Sequence, residues 1–327
     1  MKVDIIIPVK RINHYIRESI PRIMELDYDD YGIMVLPDAE DGESFPKTRI
    51  IATGNIGPAE KRDLALVHSR GDLFAFLDDD AYPCKDWLRK AVRHFADPAV
   101  AAVGGPAITP SEDSFWQRVS GAVFLSRLGG GNPERYRPVG GVRDVDDWPS
   151  VNLLVRRSVF EDVGGFSSLY WPGEDTKLCL DIIRRGGRIV YDPEAFVWHH
   201  RRGGLMRHLR QAGRYGLHRG FFARVFPETS RKFKYFVPSL FTLFLFAGVP
   251  LLFTGGGLAE RLYLAGVAAY LLAVAGASLE IFRIEKSLAV SFMGAVYIFL
   301  THVWYGARFL QGFLLTRDLK SKLRKTA

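Results

Sequence analysis

The chain predicts an α/β fold, a mostly parallel sheet with helices on its faces, followed by an amphipathic helix and then by helices that cross a membrane. Two observations carry the first half of that expectation. Short apolar runs of strand length alternate with stretches of helical apolar spacing, and aspartates stand where several of the runs end. A third observation carries the second half: the last third of the chain holds three long stretches without a charged residue.

Val3 to Val9 reads as a buried strand ended by Pro8, and Ile12 to Leu26 sets Ile12, Ile16, Ile20 and Ile23 at helical spacing. Ile33 to Leu36 is a second strand, running into Pro37 and Asp38; Arg49 to Ala52 is a third, running into Gly54-Asn55-Ile56-Gly57-Pro58. Ala59 to Ser69 is expected as one helix, with Lys61, Arg62 and Asp63 in its first turns. Leu73 to Leu77 follows as a strand, Trp87 to Phe95 as a helix, and Ala99 to Val103 as a strand closed by Gly104-Gly105-Pro106. From Ile108 to Pro149 the periodicity weakens. Gly129-Gly130-Gly131-Asn132-Pro133 and Gly140-Gly141 mark a long polar loop there, expected to act as a lid or binding segment. Val151 to Val155 restores a strand, Arg157 to Val163 a short helix ended by Gly164-Gly165-Phe166, and Thr176 to Arg185 a helix stopped by Gly186-Gly187. Arg188 to Tyr191 and Ala195 to Trp198 are two further strands. Ligands of such sheets sit beyond the carboxyl ends of the strands, where Asp38, Asp78 and Asp80 are expected.

Asp78-Asp79-Asp80 closes the strand from Leu73 to Leu77. Three adjacent carboxylates repel one another unless a cation sits among them. Asp78 and Asp80, two apart on an extended chain, lean to one side, and their oxygens suit Mg²⁺ or Mn²⁺; a solvated acidic loop is the other reading of these three residues alone. Asp175, after Trp171-Pro172-Gly173-Glu174, falls at a helix start, where a carboxylate is ordinarily an N-cap. His199-His200-Arg201-Arg202 offers a metal ligand and a phosphate clamp, or a solvated basic turn.

Among 327 residues the net charge is +8, which favours anionic partners. Lys and Arg concentrate after Arg184, near the long apolar runs, a placement that suits anionic lipid headgroups and phosphorylated substrates rather than nucleic acid. Two cysteines, Cys84 and Cys179, supply neither a disulfide framework nor a Cys/His metal cluster and fit a reducing compartment. The opening Val3-Asp4-Ile5-Ile6-Ile7-Pro8 is too short and too soon charged for a signal peptide, so the first domain is expected in the cytoplasm.

Taken together, Ile7-Pro8-Val9, Asp38, Gly57-Pro58-Ala59-Glu60-Lys61-Arg62, Leu77-Asp78-Asp79-Asp80, Arg156-Arg157 before Phe160, Gly164-Gly165-Phe166 and Gly173-Glu174-Asp175 resemble the family 2 glycosyltransferases of the GT-A fold. The resemblance covers roughly the first 225 residues, and its order and spacing are more specific than any one motif. It implies a Rossmann-like, mostly parallel sheet and a UDP-, GDP- or dTDP-sugar donor. It further implies that Pro8 and Val9 border the nucleotide base, with Asp38 bonding to it and Lys61 or Arg62 nearby. Asp78 and Asp80 match the Asp-x-Asp motif that holds Mn²⁺ or Mg²⁺ on the donor diphosphate, Asp79 and Glu174 belong to the donor site, and Asp175 matches the catalytic base. His199, ahead of His200, is expected to complete the metal shell. Gln211-Ala212-Gly213-Arg214-Tyr215 looks like the Gln-x-x-Arg-Trp motif of processive members, and Tyr215 in place of Trp leaves processivity open. The chemistry agrees with these roles: a metal neutralises the departing diphosphate, one base at the acceptor hydroxyl suffices for inversion, and no second carboxylate offers itself as a nucleophile. Lys177 or a nearby arginine would keep Asp175 ionised.

Leu205 to Phe226 interleaves Arg207, Arg210, Arg214, Arg219 and Arg224 with Leu209, Leu217, Phe221, Phe222 and Val225, the pattern of a helix in a membrane interface or of a plain surface helix. Tyr235 to Ala259, Leu262 to Leu279 and Leu288 to Ala307 carry no charge and are each long enough to cross a bilayer. Arg231, Lys232 and Lys234 precede the first run, and Arg317, Lys320, Lys322, Arg324 and Lys325 follow the last; both groups favour the cytoplasmic side, which three full crossings do not allow. Pro238, Gly248, Pro250 and Gly255-Gly256-Gly257 make the first run the expected broken or re-entrant hairpin, with the tail cytoplasmic.

The expected layout is a GT-A domain over 1–204, an interface helix and linker over 205–234, two to three spans over 235–310 and a basic tail over 311–327, in an integral membrane protein whose catalytic domain is cytoplasmic. The expected activity is inverting, metal-dependent transfer of a sugar from a nucleotide donor to a lipid-linked or membrane-proximal acceptor, in contact with membrane lipids and without nucleic acid. A nucleotidyltransferase also uses a strand-end Asp pair and a metal, but Pro8-Val9-Lys10 lacks the Gly-rich form of its nucleotide loop. A non-catalytic membrane scaffold is the third reading, against which Asp78, Asp80 and Asp175 stand intact.

Overall fold

The computed structural model of the protein describes residues 1–166, 169–253 and 255–319; Lys320, Lys322, Arg324 and Lys325 of the expected basic tail lie outside them. The chain divides into two compact units, Met1–Pro110 with Arg137–His200, and Ser111–Tyr136 with Arg201–Leu319.

All the described strands belong to the first unit: β1 (Val3–Pro8), β2 (Tyr31–Leu36), β3 (Thr48–Ile50), β4 (Leu73–Leu77), β5 (Ala81–Pro83), β6 (Val100–Gly104), β7 (Ala107–Ile108), β8 (Arg143–Val145), β9 (Asn152–Arg156), β10 (Arg188–Tyr191) and β11 (Val197–His199). They form a main sheet in the order β3-β2-β1-β4-β9-β6-β10-β8 and a small sheet β5-β11-β7. The main sheet is mostly parallel, with β9 inserted antiparallel between β4 and β6, and β8 antiparallel at the edge. Every residue of β1 and β4 is buried, which is why both read as unbroken apolar runs: each face meets a core of its own. Ile5, Ile7, Ala75 and Leu77 enter one core, and Ile6, Phe74 and Phe76 the other, following the period-two alternation of a strand.

Among the helices, α1 (His14–Met24) starts at Asn13, whose Oδ1 accepts from the Ile16 N–H at 3.0 Å, and it buries Ile16, Ile20 and Ile23 at helical spacing. The helix expected from Ala59 to Ser69 is instead two short pieces, α2 (Pro58–Asp63) and α3 (Ala65–His68). The turn tightens at Leu64, whose N–H reaches both the Glu60 and Lys61 carbonyls. After α4 (Trp87–Val92) comes the segment expected as a long polar loop. Much of it is helical: α5 (Phe115–Ala122) and α6 (Arg127–Gly130) belong to the second unit, and β8 joins the main sheet. Ser114 and Gln117 form a capping box at the start of α5. The glycine run is a packing feature, since a Cβ on Gly129 would lie 1.9 Å from the Val123 carbonyl oxygen. The first unit resumes with α7 (Arg157–Asp162) and α8 (Glu174–Arg184).

The second unit continues with α9 (Leu205–Val225), α10 (Pro227–Ser230), α11 (Phe233–Gly248), α12 (Leu258–Glu285) and α13 (Leu288–Leu310). Three helical runs, Phe233–Phe253, Leu258–Glu285 and Leu288–Leu315, are long and apolar enough to cross a membrane. The first was expected as a hairpin and is one run. Pro238 sits near its start, where few helical bonds are lost, and Gly255 and Gly256, with φ of 80° and 90°, lie beyond its end in the turn before α12. On α9, Gly213, Gly216 and Gly220 face α13 so closely that a Cβ on Gly216 would lie 2.6 Å from the Tyr305 carbonyl oxygen. Arg207, Arg210 and Arg214 are exposed, whereas Arg224 donates to the Phe313 carbonyl at 3.2 Å and Arg231 to that of Ala223 at 3.1 Å, satisfying helix-end carbonyls.

Candidate active site

The carboxyl edge of the main sheet gathers the acidic residues. β4 ends at Leu77, and the chain turns through Asp78-Asp79-Asp80 into β5. β11 lies antiparallel to β5, pairing His199 with Ala81, and the His200 N–H donates to the Asp80 carbonyl at 2.9 Å. That pairing brings the His199 ring to the acidic turn, with Nε2 3.1 Å from Asp80 Oδ1. One ligand atom each of Asp78, Asp80 and His199 lies within 4.8 Å of the other two. Two carboxylates and an imidazole are a donor set that fits a divalent cation.

Asp79 points elsewhere. Its Oδ2 accepts from Asn13 Nδ2 at 2.6 Å, tying the acidic turn to the cap of α1. His200 also turns away: Nε2 lies 3.2 Å from Glu18 Oε2, and the ring stacks on Tyr15 at 4.9 Å. The turn after β4, closed by the Ala81 N–H on the Asp78 carbonyl at 3.2 Å, thus separates Asp79 from Asp78 and Asp80, and His200, just past the end of β11, parts from His199.

Lys61 and Arg62 are almost wholly buried. Lys61 Nζ donates to Asp38 Oδ1 at 2.5 Å and to the Val9 and Leu36 carbonyls at 2.5 and 3.1 Å. One ammonium therefore joins the ends of β1 and β2 and brings Pro8, Val9, Asp38 and Lys61 together. Arg62 Nη2 donates to Asp78 Oδ1 at 2.7 Å and Nη1 to Glu174 Oε1 at 3.4 Å, with the guanidinium 5.4 Å from the Phe166 ring centre. Of Lys61 and Arg62, either of which the resemblance set near the nucleotide, Arg62 lies between two carboxylates.

Gly173, with φ of 117°, leads into α8, whose first two residues are Glu174 and Asp175. Burial first, and then the Asp175 carboxylate, push the Glu174 carboxyl up to about 8 against the pull of Arg62. Asp175 is not the N-cap its position suggested: Gly173 holds that place and Asp175 lies inside the first turn, where its Oδ1 accepts from the adjacent Thr176 N–H at 2.7 Å. Lys177 pairs with Asp181 one turn along, at 2.6 Å. Asn152, unremarked in the sequence, is fully buried: Oδ1 accepts from Trp87 Nε1 at 2.8 Å, and Nδ2 donates to the Pro106 and Ala195 carbonyls at 3.1 and 2.8 Å. Nothing in its local pattern marks it. Gln211, Arg214 and Tyr215 lie on α9 in the second unit, with Gln211 Nε2 donating to the Tyr215 hydroxyl at 3.0 Å.

Residues 73–279 match the family described as Glycosyl transferase family group 2, more than half of the chain. The chain belongs to that family. A pre-mycofactocin glycosyltransferase of Mycobacterium tuberculosis is 35% identical over 160 residues, 49% of this family 2 chain and 33% of that protein, so the chain spans about a third of that relative's length. A dolichyl N-acetyl-alpha-D-glucosaminyl phosphate 3-beta-D-2,3-diacetamido-2,3-dideoxy-beta-D-glucuronosyltransferase of Methanococcus voltae is 22% identical over 245 residues, 68% of this chain and 74% of its own. In fold, the chain is similar to mannosyltransferase PcManGT from Pyrobaculum calidifontis, solved in complex with GDP-Man and Mn²⁺; the TM-score is 0.53 at 20% identity, over 96% of this chain and 87% of that one. The GT-A fold expected from the sequence is thus the fold observed.

Proposed function

We propose that this family 2 chain is a membrane-anchored, inverting glycosyltransferase that moves a sugar from a nucleotide donor to a lipid-linked acceptor. The observation that carries the reading is the cluster of Asp78, Asp80 and His199 at the sheet edge, in a chain whose α8 opens with Asp175. A divalent cation held by Asp78, Asp80 and His199 would offset the charge that develops on a departing nucleoside diphosphate. The imidazole among the ligands favours Mn²⁺ over Mg²⁺, which prefers oxygen. Asp38, fixed by Lys61, receives the nucleotide base beside Pro8 and Val9. Arg62 holds Asp78 through its hydrogen bond to Oδ1. Asp175 takes the proton of the acceptor hydroxyl as the new bond forms, and a single base of this kind gives inversion.

The acceptor reading draws on the three apolar helical runs and on a relative whose name specifies a dolichyl phosphate-linked sugar as its substrate. A lipid-borne acceptor is confined to the surface in which such helices are anchored. Arg231, Lys232 and Lys234 before the first run favour the cytoplasmic side for that flank and the first unit with it. The test is release of nucleoside diphosphate by the detergent-purified full chain from UDP-, GDP- and dTDP-sugars with Mn²⁺ or Mg²⁺. Release from one donor, lost in Asp78→Ala and in Asp175→Asn with donor binding kept in the latter, is expected; retained turnover in Asp175→Asn overturns the base assignment.

A further inference from the structure

Asp147 is a carboxylate on the segment between β8 and β9, and it is buried. Charges are rarely kept in such a place without a partner that needs them. Its Oδ1 accepts from the Thr176 hydroxyl at 3.2 Å. Thr176 is itself buried, and its backbone N–H donates to Asp175 Oδ1 at 2.7 Å. One residue thus stands between the two carboxylates, held by Asp147 through its side chain and holding Asp175 through its main chain.

The next residue keeps Asp147 in place. The Trp148 N–H donates to Cys179 Sγ at 3.4 Å, and the Cys179 thiol donates back to the Trp148 carbonyl at 3.5 Å. Thr176 and Cys179 are three apart and so share a face of α8; the segment therefore lies along that face with two points of attachment. The Trp148 indole is anchored in turn, with Nε1 donating to the Gly105 carbonyl at 3.0 Å and its ring occupying the space a Cβ on Gly104 would need, 2.1 Å away. The sheet, through Gly104 and Gly105, sets Trp148; Trp148 sets Asp147; Asp147 sets Thr176.

We propose that Asp147 and Thr176 are positioning residues for Asp175, fixing the first turn of α8 so that the carboxylate faces the acceptor hydroxyl. The inference rests on the reading of Asp175 as the base. Thr176→Val removes the hydroxyl and keeps shape and the backbone N–H; Thr176→Ser keeps the hydroxyl. With the full chain in detergent, Mn²⁺ and the UDP-, GDP- and dTDP-sugar panel, Thr176→Val is expected to lower kcat for nucleotide release about tenfold, the scale of one hydrogen bond to a charged group, with donor KM unchanged. Thr176→Ser is expected to recover most of the loss, and Asp147→Asn added to Thr176→Val to cost little more. Amide exchange of the peptide spanning Glu174 to Lys177 is expected to quicken in Thr176→Val and Asp147→Asn, a readout independent of turnover. Unchanged exchange in both variants, or kcat for Thr176→Val within about twofold of the parent while Asp175→Asn is inactive, overturns the proposal alone. Full turnover in Asp175→Asn overturns the base assignment and this proposal with it.

Discussion

Arg62→Met removes a buried cation while keeping an unbranched apolar side chain beside Phe166. The Arg62 side chain is 4% exposed, its partner Glu174 is 7% exposed and its partner Asp78 is 34% exposed. The half of the network facing Asp78 is open enough to contribute no more than about 1 kcal/mol. The half facing Glu174 is dry, and there the loss of one member of an ionised pair costs about 3–5 kcal/mol. Which figure applies depends on the proton of Glu174. Its folded pKa, about 8, lies above the ordinary 4.5, so the stability this carboxyl supports is fully present below 4.5 and is lost as pH rises through 8. Arg62 pulls that value down; below it the carboxyl is protonated with or without Arg62, and only the Asp78 half is missed. Above it the parent ionises beside Arg62, whereas the variant, whose value lies higher still, keeps its proton and loses about 1.4 kcal/mol relative to the parent for each pH unit above the parent's value. At about 2–4 °C per kcal/mol, the variant should melt about 2–4 °C below the parent at pH 6 and several degrees further below it at pH 9. Intrinsic tryptophan fluorescence on heating the detergent-purified chain in a chelator reads both. A gap equal at the two pH values, or wider at pH 6, refutes the account of Arg62 as the counter-ion of a dry carboxylate.

Mn²⁺ titration followed by electron paramagnetic resonance should show an affinity lower by about tenfold or more in Asp80→Asn and in His199→Gln, and a smaller loss in Asp79→Asn, whose carboxylate bonds to Asn13; equal losses in all three would disperse the proposed ligand set. Asp192 is fully buried, 2.7 Å from His94 Nε2 and 2.9 Å from Arg93 Nη2. Burial raises its pKa, but the bonds from His94, the Glu194 N–H and Arg93 outweigh it, leaving the value below 3.8. A depressed value contributes stability above pH 3.8 that is lost as pH falls through it. Asp192→Asn should therefore cost about 1–3 kcal/mol at pH 7 and progressively less below pH 3.8, and a cost that grows on acidification would reverse that sign. Gly220→Leu should break the packing of α9 on α13, since a Cβ there meets the Phe309 carbonyl oxygen at 2.1 Å, whereas Gly141→Ala, with nothing within 4 Å, should behave as the parent; a monodisperse elution profile for Gly220→Leu would show that the helices separate without harm.

The strands of the main sheet were legible because burial on both faces leaves a local mark, an unbroken apolar run such as Ile5-Ile6-Ile7 or Leu73 to Leu77. The antiparallel insertion of β9 between β4 and β6 left none, because Val151 to Val155 has the composition of either orientation. Glycine misled where it served packing. Gly129 and Gly130 read as loop and are helical, because the backbone of the Val123-Phe124 segment passes too close for any side chain. Gly213, Gly216 and Gly220 sit unobtrusively among arginines, yet they are what lets α9 approach α13.

The site divides along the same line between what a strand's period reveals and what packing decides. Asp78 and Asp80 were expected on one side of an extended chain, with Asp79 in the donor site; the three instead lie on the turn after β4, which leaves Asp78 and Asp80 near His199 and ties Asp79 to Asn13. His199 needed a partner strand: its nearness to Asp80 comes from the pairing of β11 with β5, two three-residue strands more than a hundred positions apart. Lys61 and Arg62 are consecutive cations on one short helix, yet neither meets solvent; Lys61 turns to Asp38 at the ends of β1 and β2, and Arg62 to Asp78 and Glu174. Each basic side chain thereby fixes a carboxylate that the sequence had singled out for ligand binding. Asp38, Asp78 and Glu174 are thus held from within by two buried cations, which fixes these carboxylates before any ligand arrives.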